Sequence, residues 1–270
     1  MLIKQSFKDL ATSFDSTIRI HVVEPTVKGY PNAKFPAVLV FSEIYQVTGP
    51  VLRFAQTIAA QGYIAVLPSS YHNFIDSTPL AYDVEGTDLG NELKITKPLE
   101  SYDEDVTLSL KVLEDMPNWN GRVGATGMCL GGHLAFRAQL DPRIKATTCF
   151  FPTDIHSHSL GKGKNDDTLE KVTANWQNDQ ECILIFGTKD THVPWEGRDQ
   201  IRKAVKDKPV TFLEINGAQH AFIRDEFSKG RYDATITKAC LGFMFEQFDR
   251  KLKSELGDFV DDNAPIEHVC

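Results

Sequence analysis

Positive charge is scarce in this chain. Its 29 lysines and arginines stand against 37 aspartates and glutamates over 270 residues, a formal net charge of -8. Such a surface has no positive face for a phosphate backbone or an anionic lipid, so neither nucleic acid nor a membrane is expected as a partner. No stretch is long and apolar enough to span a bilayer, and residues 1–9 lack the apolar core of a signal peptide; a reducing cytoplasm is the expected compartment. The five cysteines (Cys129, Cys149, Cys182, Cys240, Cys270) are odd in number and scattered, three of them inside apolar runs, which is no disulfide framework. A glycine-rich dinucleotide or phosphate fingerprint is missing, so no cofactor is expected. Repeats, low-complexity linkers and domain boundaries are missing too. No arginine occurs between Arg53 and Arg122.

What remains is ordinary for a globular enzyme: 41% hydrophobic and 24% charged residues, enough chain to bury a large core. Residues 17–23 alternate apolar and polar and end near Pro25, which reads as a half-exposed edge strand. Residues 36–41 are continuously apolar, as a strand buried on both faces should be. Pro50 opens a helix over 51–61 that Gly62 stops, and residues 63–68 form the next strand. Residues 69–99 are polar and without clear periodicity; a cap or lid over the strand ends is expected there, against the alternative of an ordinary structured insertion. Ser101 and Glu104 have capping-box spacing ahead of a helix. Strands at 122–125, 146–151, 182–187 and 210–215 alternate with helical patterns at 167–176 and 197–205, which predicts one α/β domain with a doubly wound, mostly parallel sheet. A long helix over 232–252 and an acidic, loosely held tail over 257–270 complete the reading.

The segment Gly127-Met128-Cys129-Leu130-Gly131 joins a strand to a helix in the G-x-nucleophile-x-G form of a nucleophile elbow. A thiolate there would sit at the positive end of a helix, which favours the ionised form; the alternative is a small apolar cysteine packed in a glycine-rich turn. In a doubly wound sheet, polar residues at the carboxyl ends of strands converge on one crevice. Asp190 and His220 both follow strands, and with Cys129 they give the order nucleophile, acid, histidine. His220 would take and return the thiol proton while Asp190 fixes its tautomer. Glu43 ends a buried strand and is either a surface cap or an alternative proton acceptor beside the thiol. The backbone N–H groups of Leu130 and Ile44 would face the developing oxyanion. His156 and His158 have a spacing that suggests metal only weakly, and no metal is expected.

Phe41-Ser42-Glu43-Ile44-Tyr45, the elbow through Gly132, Gly187 to Pro194, and His220-Ala221-Phe222-Ile223-Arg224 together resemble the dienelactone hydrolase (carboxymethylenebutenolidase) family of the α/β-hydrolase fold, over residues 18–251. The resemblance implies a Cys129–His220–Asp190 triad, with Glu43 helping to generate the thiolate when substrate binds. It also implies cleavage of a small ester or lactone through a thiol acyl-enzyme, with Tyr45 and Arg224 at the substrate. Family members acting on dienelactones use two arginines for the substrate carboxylate. Arg224 matches one; the other has no counterpart in the 69–99 segment, where Lys94 or Lys97 would have to replace it. A general carboxylesterase or thioesterase, or a ligand-binding or redox-sensing protein on the same scaffold, are the alternatives. A monomer or weak homodimer is expected.

Overall fold

In the computed structural model, residues 1–254 are described; the expected acidic tail at 257–270, with Cys270, lies outside them. Eight strands and seven α-helices follow in the order β1 (Leu2–Ala11), β2 (Thr17–Thr26), β3 (Phe35–Phe41), α1 (Gly49–Ala60), β4 (Ile64–Pro68), α2 (Val84–Thr96), α3 (Leu99–Glu114), β5 (Trp119–Met128), α4 (Leu130–Arg137), β6 (Ile144–Phe150), α5 (Thr168–Ala174), β7 (Glu181–Gly187), α6 (Trp195–Ala204), β8 (Val210–Ile215) and α7 (Ala234–Phe248). They form one eight-stranded sheet ordered β1-β2-β4-β3-β5-β6-β7-β8. From β4 to β8 every neighbour is parallel; β1 and β2 are added antiparallel at one side.

Alternate residues of the central strands feed two cores. On β3, Ala37, Leu39 and Phe41 pack with α3, α4, α5 and α6, while Val38 and Val40 pack with α1 and α7. Both faces are covered, which is why these strands read as unbroken apolar runs. The stripe Val106, Leu110, Leu113 on α3 is buried as its spacing predicts, each side chain worth about 1.5–3 kcal/mol in transfer from water.

Three expectations need correction. Residues 17–23 are not an edge strand: β2 is paired on both sides, and the edge is β1, whose ten residues are all at least partly exposed. Its pattern carries no buried face for a periodicity argument to detect. The Ser101–Glu104 capping box does not form, because α3 already starts at Leu99 with Pro98 as its N-cap. Ser101 instead donates to Asn73 Oδ1, and Glu104 Oε1 accepts from the Ser13 N–H. Finally, 69–99 contains a full helix, α2. Its buried residues are Gly86, Gly90 and Leu93, so two of three contribute no hydrophobic signal.

The 69–99 segment is pinned from beneath. Lys97, fully buried, donates to Asp105 Oδ2 at 2.6 Å and to the Ser70 carbonyl at 2.8 Å; His72 lies 2.7 Å from Asp105 Oδ1 and reaches Ser16 through its other nitrogen. Burial pulls the Lys97 ammonium pKa down, against the attraction of Asp105. Lys97 therefore ties the segment to α3 and does not replace a substrate-binding arginine.

Candidate active site

β5 delivers Cys129 to the start of α4 in a conformation that L residues rarely adopt, φ 60° and ψ -122°. The backbone crowds so closely there that a Cβ on Gly127 would lie 2.3 Å from the Gly131 carbonyl oxygen, and one on Gly131 2.0 Å from that of Phe41. The glycines of the elbow are thus required by close approach of β3 to α4, while the unusual dihedrals are borne by the cysteine itself. Cys129 N–H donates to the Phe150 carbonyl, and its own carbonyl accepts from Gly132, His133 and Thr153. These contacts lock the turn.

The resting state of the thiol differs from the sequence expectation. Burial, then the carboxylates of Glu43 and Asp154, push the Cys129 thiol up to about 12; Lys94 and the Leu130 N–H act in the opposite sense and are outweighed. A helix terminus of this strength, worth about 0.3–1 kcal/mol at an exposed site, does not offset desolvation beside two negative charges.

The turns after β7 and β8 bring Asp190 and His220 together. His220 Nδ1–H donates to Asp190 Oδ2 at 2.8 Å, and both side chains are buried. Burial acts to raise the Asp190 carboxyl, but hydrogen bonds from His192 and His220 hold it well below the usual carboxylate range. Burial lowers the His220 imidazole despite its acidic partner. His220 Nε2 has no hydrogen-bond partner among the described residues, and the ring lines the same pocket as Cys129. Both shifts favour the neutral forms of thiol and imidazole.

Glu43, at the end of β3, is buried and faces Arg224: Nη1 donates to Oε1 at 3.0 Å and to Oε2 at 3.1 Å. Tyr82 adds a third donor at 3.1 Å and lies under the guanidinium, 4.4 Å from ring centroid to Cζ. Tyr45 packs against Tyr82 and bonds Thr87 of α2. Ile44 lines the pocket, and α2 rests on it so tightly that a Cβ on Gly90 would meet the Ile44 carbonyl at 2.4 Å. Leu130 begins α4 directly after Cys129, which places its N–H at the mouth of the elbow.

Of the two lysines, Lys94 lines the pocket, where it bridges both oxygens of Asp154 at 3.0 Å. Burial opposes, but Lys94 and the Thr153 hydroxyl hold the Asp154 carboxyl down to about 2. Sequence reasoning missed Asp154, Tyr82 and Arg231. Arg231 lines the pocket and has no ion-pair partner among the described residues. None of the three stands at a strand end within a recognisable motif. His156 and His158 are not drawn together with a third ligand: His156 packs on Gly197, and His158 faces Glu170 at 3.7 Å. Among the described residues, metal-ligating atoms converge only at Asp190, His192 and His220, which is the pair already described with His192 beside it. The same residues include no helix long and apolar enough to cross a membrane. Cys129, Cys149, Cys182 and Cys240 are free thiols.

Comparison with known proteins bears on the fold and the family. In solved structures the fold recurs in a Klebsiella pneumoniae protein provisionally described as a dienelactone hydrolase (TM-score 0.74, 18% identity, 93% of this chain and 100% of that one). It recurs in a dienelactone hydrolase-like promiscuous phosphotriesterase from metagenomic libraries (TM-score 0.72, 16% identity, 93% and 99%). These similarities identify an α/β-hydrolase fold. In sequence, the chain is 62% identical over 273 residues, all of both chains, to a Saccharomyces cerevisiae protein provisionally named a carboxymethylenebutenolidase. It is 28% identical over 210 residues to the carboxymethylenebutenolidase of Pseudomonas putida, covering 77% of this chain and 84% of the relative. The dienelactone hydrolase family pattern matches residues 23–252. The chain belongs to the dienelactone hydrolase family.

Proposed function

We propose that this protein hydrolyses a small carboxylic ester or lactone through a thiol acyl-enzyme on Cys129. The observation that carries the reading is the meeting in one pocket of an elbow cysteine at positive φ and a histidine whose Nδ1 is held by Asp190 and whose Nε2 is unpartnered. In acylation the sulfur bonds to the acyl carbon as its proton passes to His220 Nε2; the carbonyl oxygen takes negative charge facing the N–H groups of Leu130 and Ile44. His220 returns the proton to the departing oxygen, and water, activated by the same ring, releases the acid.

Because the neutral forms of thiol and imidazole are favoured, the thiolate has to be generated on substrate binding. Glu43 lies close enough to raise the thiol, and Arg224 holds it by one guanidinium nitrogen. A substrate anion that draws Arg224 away frees the Glu43 carboxylate to take the thiol proton first and pass it on to His220 Nε2, from which it reaches the departing oxygen. The charge balance of the pocket favours such a substrate: Arg224 is matched by Glu43 and Lys94 by Asp154, while Arg231 is unmatched among the described residues. An anionic ester or enol lactone therefore fits better than a neutral one. The test is hydrolysis of a neutral aryl ester and an anionic enol lactone by the wild-type chain and by Cys129→Ala. Turnover by the wild type alone supports the reading; equal turnover by both, or none by either, counts against it.

A further inference from the structure

His192 lies on the catalytic histidine. The two rings stack with centroids 4.1 Å apart and planes 25° from parallel, and Phe151 also meets His220, edge-on at 4.8 Å. The His192 backbone N–H donates to Asp190 Oδ1 at 2.8 Å, so the turn that carries the ring also holds the acid of the triad. The His192 side chain is 53% exposed and that of His220 8%.

We propose that His192 is a positioning residue for His220: its ring packs on the imidazole and helps to keep His220 in the neutral form that accepts the thiol proton. The proposal rests on the mechanism given above. A charged ring about 4 Å away disfavours a proton on His220, and charging the buried imidazole also costs desolvation. Burial already holds the His220 pKa down, and His192 adds to that effect. The other charged and titratable groups facing the pair are Cys129, Glu43, Arg224, Lys94, Asp154 and Arg231 across the pocket, Asp190 beneath, and His156 behind it against α6. Two rings of the whole set touch His220, and Phe151 carries no charge.

This arrangement extends the working range toward acid. As pH falls, His220 stays unprotonated, and able to act as the base, further toward acid than it would without that neighbour. The test is the pH profile of kcat/KM on a neutral aryl ester from about pH 5 to 9 for wild type, His192→Phe, His192→Gln and Cys129→Ala. His192→Phe keeps a ring on His220 and removes the charge; its acid limb is expected to move to higher pH by about half a unit or more. His192→Gln is expected to move the limb in the same direction and also to lower the plateau, because the packed ring is gone. An acid limb that overlays wild type in the two His192 variants overturns the proposal, as does a shift to lower pH. Should one variant fail to fold, the other decides. Turnover by Cys129→Ala would instead sink the mechanism beneath it, so the two failures are distinguishable.

Discussion

The Glu43 carboxylate and the Arg224 guanidinium, 181 residues apart in the chain, meet across the pocket at 3.0 and 3.1 Å, each buried. Under the proposed mechanism the pairing makes Glu43 a stored base rather than a free one. Glu43→Gln keeps the shape of the side chain and removes its basicity. Pre-steady-state hydrolysis at neutral pH should show acylation slowed by about 10²-fold, with deacylation much less affected. A burst rate equal to wild type would remove Glu43 from the chemistry.

Alkylation gives a second check. With the free-enzyme thiol pushed up to about 12, its reaction with iodoacetamide should be slow at neutral pH and climb with pH, without a plateau below pH 10. The sign follows from the thiolate being the nucleophile: each unit by which the pKa exceeds the pH costs a factor of about ten in reactive fraction. Removing the Glu43 charge should lower the thiol pKa and speed alkylation, while ester turnover falls. That opposition separates activation of the thiol from its use.

Arg231 should matter only for charged substrates. Arg231→Ala is expected to raise KM for an anionic ester by about tenfold, the loss of one charge-assisted contact, and to leave the neutral aryl ester within about twofold. Equal effects on both would assign Arg231 to the shape of the pocket instead.

The Lys97–Asp105 pair bears on stability. Lys97→Met leaves a buried carboxylate with His72 as its neighbour and should cost about 3–5 kcal/mol, read as a lower denaturation midpoint. Replacing both partners by apolar residues, Lys97→Met with Asp105→Leu, should recover part of the loss. A single variant as stable as wild type would show that the pair contributes nothing net.

The sheet and the meeting of Cys129, Asp190 and His220 in one pocket were legible because each depends on local pattern: apolar runs mark the central strands, and the three residues each stand just past a strand. The Glu43–Arg224 pair was half legible. Both residues lie in motifs, but nothing local shows that a chain returning after 181 residues would place one on the other. The helix α2 was hidden for a different reason. It packs through Gly86 and Gly90, whose value is the absence of a side chain, so closeness to Ile44 left no apolar stripe to read. The resting state of the thiol is not legible locally, because the burial that chiefly raises it and the carboxylates that add to this come from other elements.

The outermost strand, β1, adds almost nothing to the core, yet it occupies the hydrogen-bonding edge of β2, whose Ile18, Ile20, Val22 and Val23 are buried. Trimming the first eleven residues would exchange an edge bearing Lys4 and Lys8 for one backed by apolar side chains. Such a truncated chain would keep its catalytic groups and fail through self-association, so the N-terminal ribbon is better understood as a guard on colloidal behaviour than as part of the catalytic machine.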